Sequence, residues 1–192
     1  MTLMLLGLLL FVGMHSIPML APDWRGRMVA RLGLMPWKGL YTVITLLGLA
    51  LIVIGFAQAR QAPTLMHAPA LALRHLNSLF TLIAFVMVLA AYVPRNHFKA
   101  WLRHPMLAGT ALWAGGHLLA TAWLHDYVLF GAFLVWALAS FFALRRRDVR
   151  TGMQVAAGTL AGDAIAIVLG LAGWAVFAFW LHLWLIGVKP IA

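Results

Sequence analysis

A chain of 192 residues that is 65% hydrophobic and only 9% charged has the composition of an integral membrane protein, not of a soluble domain. Its net charge of +10 comes from 14 Lys and Arg against four acids, Asp23, Asp126, Asp148 and Asp163; the cations lie in short segments between apolar spans, as membrane orientation requires, and so mark no nucleic-acid partner. With no cysteine there are no disulfides, no thiolate metal ligands and no covalent haem attachment.

An apolar stretch of about 20 residues crosses a bilayer as a helix. Such stretches are expected at Leu3–Leu20, Leu40–Ala59, Leu71–Val93, Pro105–Leu124, Tyr127–Leu144 and Ala161–Gly187. The expected fold is therefore all-α, one integral membrane bundle of about six transmembrane helices over residues 1–192. The first span has no basic segment before it and no clean small-residue cleavage site after it, so it reads as a helix and not as a signal peptide. Pro18 should kink or end that helix. Pro22, Pro36, Pro63, Pro69 and Pro94 punctuate connections, and Pro105 opens the fourth span, where a proline is tolerated.

Loop charge sets the expected orientation. The first loop carries Arg25, Arg27, Arg31 and Lys38, the third Arg95, Lys99 and Arg103, and the fifth Arg145, Arg146, Arg147 and Arg150. The second has only Arg60 and Arg74, and the fourth has no Lys or Arg. The odd loops should face the cytoplasm and both termini the far side, as in a multi-pass protein of the bacterial inner membrane. Trp24, Trp37, Tyr41, Tyr92, Trp101, Trp123, Tyr127 and Trp184 fall near span ends and read as interfacial anchors, while Trp113, Trp136, Trp174 and Trp180 lie deeper. Gly158, Gly162, Ala166 and Gly170 recur every four residues, a small stripe that lets a neighbouring helix approach closely.

Of eight histidines, His67, His97 and His125 lie in or beside loops, His75 starts the third span, and His104 precedes Pro105. His15, His117 and His182 lie inside spans, where an imidazole is expensive and has a partner or a job. A proton relay would mix histidines with carboxylates, yet only Asp163 is placed near a span. A zinc site would want three ligands close together. Two neutral imidazoles from different helices are enough for a six-coordinate haem, here a non-covalent haem b. At about 1.5 Å per residue His117 lies near the middle of the bilayer, His15 towards the cytoplasmic end of its helix and His182 towards the outer end. Depth alone leaves both His15 and His182 as partners for His117.

Two segments carry a family resemblance. LLLFVGMHSIPMLAPDWR, followed by LGLMPWKGLYTVITLLGLALIVIGFAQAR, resembles the start of the NnrU family, and PRNHFKAWLRHPMLAGTALWAGGHLLA resembles its central region. The likeness covers the first two-thirds of the chain and includes the spacing of His15, the run Arg103-His104-Pro105-Met106 and His117. The family takes its name from bacteria that respire nitrite and nitric oxide, where its members accompany nitric oxide reductase. A plant and cyanobacterial relative is the 15-cis-zeta-carotene isomerase, a membrane haem b protein with two histidine ligands. The resemblance implies that His15 and His117 are the axial ligands here, which favours His15 over His182. It implies metabolism of nitrite and nitric oxide, and a redox-dependent cis–trans isomerase among the activities, with a hydrophobic substrate or a diatomic gas as partner beside membrane lipid. Arg103 and His104 are then cofactor-binding candidates that could meet a propionate.

Arg103-His104-Pro105 with Gly109 is also similar to the R-H-P-x-Y-x-G segment by which membrane methyltransferases of the isoprenylcysteine type hold S-adenosylmethionine. Leu107 stands in place of the tyrosine, and the chain lacks the glutamate that those enzymes use later. A haem-free methyltransferase-like protein and an assembly factor for a respiratory reductase are the alternative functions.

Overall fold

The computed structural model describes residues 1–190. Its elements are helices: α1 (Thr2–Leu20), α2 (Pro22–Leu32), α3 (Leu34–Ala59), α4 (Leu71–Ala90), α5 (His97–Leu102), α6 (Pro105–Ala120), α7 (Leu124–Arg150) and α8 (Leu160–Val176), then a π-helical turn (Phe177–Leu181) and α9 (His182–Ile186). The protein is all-α and multi-pass. Among the described residues five helices are long and apolar enough to cross a membrane: α1, α3, α4, α7, and the segment Leu160–Ile186 that joins α8 to α9. The expected span at Pro105–Leu124 is helical over 16 residues only, because Thr121 leaves the helix with φ −87° and ψ 156°.

Other boundaries differ from expectation for local reasons. Helix α3 starts at Leu34, not Leu40, since Pro36 sits in its first turn, where an amide N–H would have no intrahelical acceptor. The first loop holds α2, which starts on Pro22 and contains no buried residue. Its Trp24 meets Trp37 edge-on at 5.7 Å between ring centroids. Pro18 does not end α1, which runs on to Leu20 before Ala21 breaks it. A single isolated bridge, Leu65 with Trp123, is the sole extended pairing among the described residues.

The helices fall into two compact units. The first comprises Met1–His67 and Trp123–Ala132; the second comprises Ala68–Ala122 and Phe133–Ala192. In the first, α1 and α3 lie antiparallel and almost in backbone contact. A Cβ on Gly7 would lie 2.5 Å from the Ile52 amide nitrogen, and one on Gly48 2.8 Å from that of Phe11. Gly55 packs directly on the Met4 backbone. Met4 is fully buried and Ile52 nearly so. Thr64 O accepts from Leu124 N at 3.0 Å, and buried His125 stands edge-on to Phe56.

In the second unit α4 is the central helix, packed against α6 and α8. Both neighbours run antiparallel to it and both present glycines. Gly109 of α6 rests on the Ala84 carbonyl, and Gly116 on the Asn77 side chain. On the other side Gly158 rests on His97, Gly162 on the Arg95 carbonyl and Gly170 on Val86. Ala166, fully buried, joins Ala90, Val93 and Phe98 in a small apolar cluster. The four-residue stripe is thus a packing face, as its spacing predicts. Trp174 Nε1 donates to Thr81 Oγ1 at 3.1 Å, and Phe177, the first residue of the π turn, meets Phe85.

Gly55→Ala forces a methyl into the Met4 backbone and is expected to lower stability by about 1–3 kcal/mol, the usual cost of overpacking. Gly39→Ala, where a Cβ meets nothing within 4 Å, should be neutral or slightly stabilising, because alanine is the better helix former. Thermal unfolding of both variants in detergent checks this contrast.

Candidate functional site

His15 and His117 share one local arrangement. His15 sits on α1, and its Nδ1 lies 2.7 Å from the carbonyl oxygen of Phe11. His117 sits on α6, and its Nδ1 lies 2.8 Å from the carbonyl oxygen of Trp113. A carbonyl only accepts, so in each case Nδ1 carries the proton and donates. The neutral imidazole then carries its lone pair on Nε2, the atom through which a histidine binds a metal. A backbone acceptor on the other nitrogen is the support by which proteins orient metal-bound imidazoles.

Each acceptor carbonyl belongs to an aromatic residue four positions earlier, one turn back on the same helix face. The Phe11 ring stacks on His15 with centroids 4.2 Å apart and planes at 28°. Tyr41 of α3 meets His15 edge-on at 5.4 Å. The Trp113 ring lies 5.4 Å from His117 at 55°, and its own far side meets Phe133. Trp113 also walls a cavity of about 180 Å³ between α4 and α6, with Ala84, Phe85, Val88 and Gly109. Both imidazoles are half-buried. His15 belongs to the first unit and His117 to the second.

His182 is arranged differently. Its Nδ1 donates at 2.7 Å to the Val188 carbonyl beyond the end of α9, an exposed bond that closes the last turn. Phe177 meets its ring edge-on.

Arg103 and His104 are brought together at the corner between α5 and α6. Arg103 has φ +63°, a left-handed conformation unusual for a residue other than glycine. Its Nη1 donates to the Met153 carbonyl at 3.1 Å. His104 starts the turn into α6, and its Nε2 lies 2.8 Å from Asp148 Oδ2. Asp148 is only 1% exposed; its other oxygen, Oδ1, accepts no hydrogen bond and has Arg147 Nη2 at 3.6 Å. Arg145 Nη1 donates to the Trp101 carbonyl at 3.0 Å. The corner is therefore clamped to the end of α7 and the residues just after it by one histidine–aspartate hydrogen bond and two arginine–carbonyl bonds.

A second histidine–aspartate pair joins α5 to α8. Asp163 accepts from the His97 amide and pairs with His97 Nδ1, both at 2.7 Å. Asn96 caps α5, accepting from Lys99 N at 2.8 Å, while its own amide donates to the Ala90 and Val93 carbonyls. Neither aspartate pairing was singled out by sequence reasoning. The signal was present for Asp148, the one acid within the arginine run 145–150. Among the described residues no three or more His, Cys, Asp or Glu gather as a metal-binding group, whereas a haem asks for only two imidazoles.

The family model described as NnrU protein matches residues 3–190, nearly the whole chain. No curated protein and no solved structure matches it.

Removing His104 leaves the Asp148 carboxylate buried with no hydrogen bond to either oxygen. His104→Ala is expected to cost about 1–3 kcal/mol, the usual cost of leaving a buried acceptor without its hydrogen bond, since Arg147 stays beside the other oxygen. The double variant His104→Ala, Asp148→Ala should cost clearly less than the sum of the single variants, because it removes the stranded charge as well. Denaturation of the three variants in detergent measures that coupling.

Proposed function

The chain belongs to the NnrU family, and from that premise we propose that it is a membrane haem b protein in which His15 and His117 ligate the iron. One observation carries this reading over the others: both imidazoles are tied through Nδ1 to the carbonyl of an aromatic residue one turn back. A proton on Nδ1 supports Nε2 as the ligating atom in both, and the backbone that holds each ring belongs to a helix. His182 Nδ1 is tied instead to the Val188 carbonyl beyond the end of its helix, and the support that His15 shares with His117 favours His15 as the second ligand.

The donor set fits the group. Two neutral imidazoles leave the net charge of the haem unchanged and suit a low-spin iron, and a chain without cysteine holds it non-covalently. Phe11 and Trp113 add apolar ring surface beside the ligands. Arg103 uses one of its five N–H donors on Met153 and keeps others for a propionate. His104 acts through Asp148, which fixes the corner that carries Arg103. Bound haem would supply a one-electron iron centre, suited to a diatomic gas or to redox-dependent cis–trans isomerisation of a hydrophobic substrate. The association of the family with nitrite and nitric oxide respiration supports a role in that metabolism, in the bacterial inner membrane.

Absorption spectra of protein purified from cells supplied with haem precursor test this. The wild type is expected to show a Soret band with low-spin features. His15→Ala and His117→Ala should each lose or convert that spectrum, and His182→Ala should keep it. A colourless wild type contradicts haem binding. Loss of the spectrum in His182→Ala with retention in His15→Ala contradicts the ligand assignment alone.

A further inference from the structure

An apolar groove of about 430 Å³ lies in the second unit, between the end of α4 and the start of α8. Its volume falls in the range of small-molecule sites, about 300–1,000 Å³. Leu89, Val93, Ile165 and Leu169 form its walls, and Arg95 and Thr159 stand at one end. Both helices belong to membrane-spanning segments, so acyl chains are the medium along this face.

The polar end is built rigidly. Arg95 has φ +52°, a left-handed backbone that costs free energy and persists only where its surroundings hold it. They do so here: the Arg95 carbonyl accepts from both the amide (2.8 Å) and the hydroxyl (2.9 Å) of Thr159, and Gly162 packs on the same carbonyl. Three other cations of this unit give N–H donors to backbone carbonyls: Lys99 to Ala91, Arg103 to Met153 and Arg145 to Trp101. The Arg95 guanidinium makes no hydrogen bond or ion pair with any described residue. The carboxylates of the unit, Asp148 and Asp163, are engaged by His104 and His97. The end of the groove therefore offers a guanidinium without a carboxylate partner, while Asp163, next to Gly162, keeps both of its oxygens on His97.

We propose that this groove binds an anionic phospholipid, with an acyl chain along Leu89, Val93, Ile165 and Leu169 and its phosphate on Arg95. The apolar walls distinguish such a ligand from a free phosphate, and the single uncompensated cation distinguishes it from a phosphatidylcholine.

Native mass spectrometry of the full-length protein released from detergent is the test. Phosphatidylglycerol and phosphatidylcholine of identical chains are offered in equal amounts, with and without excess inorganic phosphate. The wild type should retain phosphatidylglycerol about fivefold better, the scale of one basic residue at a membrane surface. Arg95→Gln should abolish the preference, and Arg27→Gln on α2 should leave it unchanged. Leu169→Trp and Ile165→Trp, which fill the groove, should each lower retention of both lipids, and inorganic phosphate should not compete. Equal retention of the two lipids by the wild type overturns the proposal, as does an undiminished preference in Arg95→Gln. Competition by inorganic phosphate overturns it in favour of a soluble-anion site.

Discussion

Helices inside a bilayer gain little by burying leucine against leucine, because lipid tails are as apolar as the side chains. They associate where their backbones approach closely enough for dense dispersion contact, which small residues, glycine above all, allow. The structure depends on this constraint in both units. Gly7, Gly48 and Gly55 bring α1 and α3 together. Gly109 and Gly116 close α6 on α4, Gly170 closes α8 on α4, and Gly158 and Gly162 seat the start of that segment on His97 and the Arg95 backbone. Large apolar side chains such as Leu9, Val43, Val135 and Leu160 stay exposed, as lipid-facing residues should.

The same economy governs the polar groups. In hydrocarbon each donor must find an acceptor within the protein. His15 and His117 meet the requirement for Nδ1 within their own helices by sharing a carbonyl one turn back. That choice fixes the tautomer, and with it which nitrogen can meet a metal. At the helix ends the aspartates serve the complementary purpose. Asp148 and Asp163 anchor the histidines that frame α5, and so hold the corner where Arg103 adopts its left-handed backbone.

Much of this was legible in the sequence, and the reasons for the rest are physical. Apolar runs located the spanning helices, because length and hydropathy are local properties. The stripe at Gly158, Gly162, Ala166 and Gly170 announced a packing face by its period. Its counterparts Gly7, Gly48 and Gly55 did not, since their meaning lies in a pairing between distant segments. Helix α2 was missed because it is short and rich in arginine, and so resembles an orientation loop by charge alone. The end of α6 was overrun because Leu124 continues the apolar pattern after Thr121 has already left the helix. His15 and His117 stood out by cost. Their shared bond to the carbonyl four residues back could have been anticipated from helix geometry, whereas the partner of His104 required knowing that α7 extends to Arg150.

The haem proposal requires two imidazoles, those of His15 and His117, to hold one iron through Nε2. Pulsed electron paramagnetic resonance of the ferric protein, with its histidines labelled with nitrogen-15, tests it most directly. A low-spin signal coupled to two imidazole nitrogens is expected, falling to fewer than two when either His15 or His117 is replaced. A low-spin signal that keeps two labelled nitrogens in the His15 variant, or no haem signal in the wild type, would contradict it.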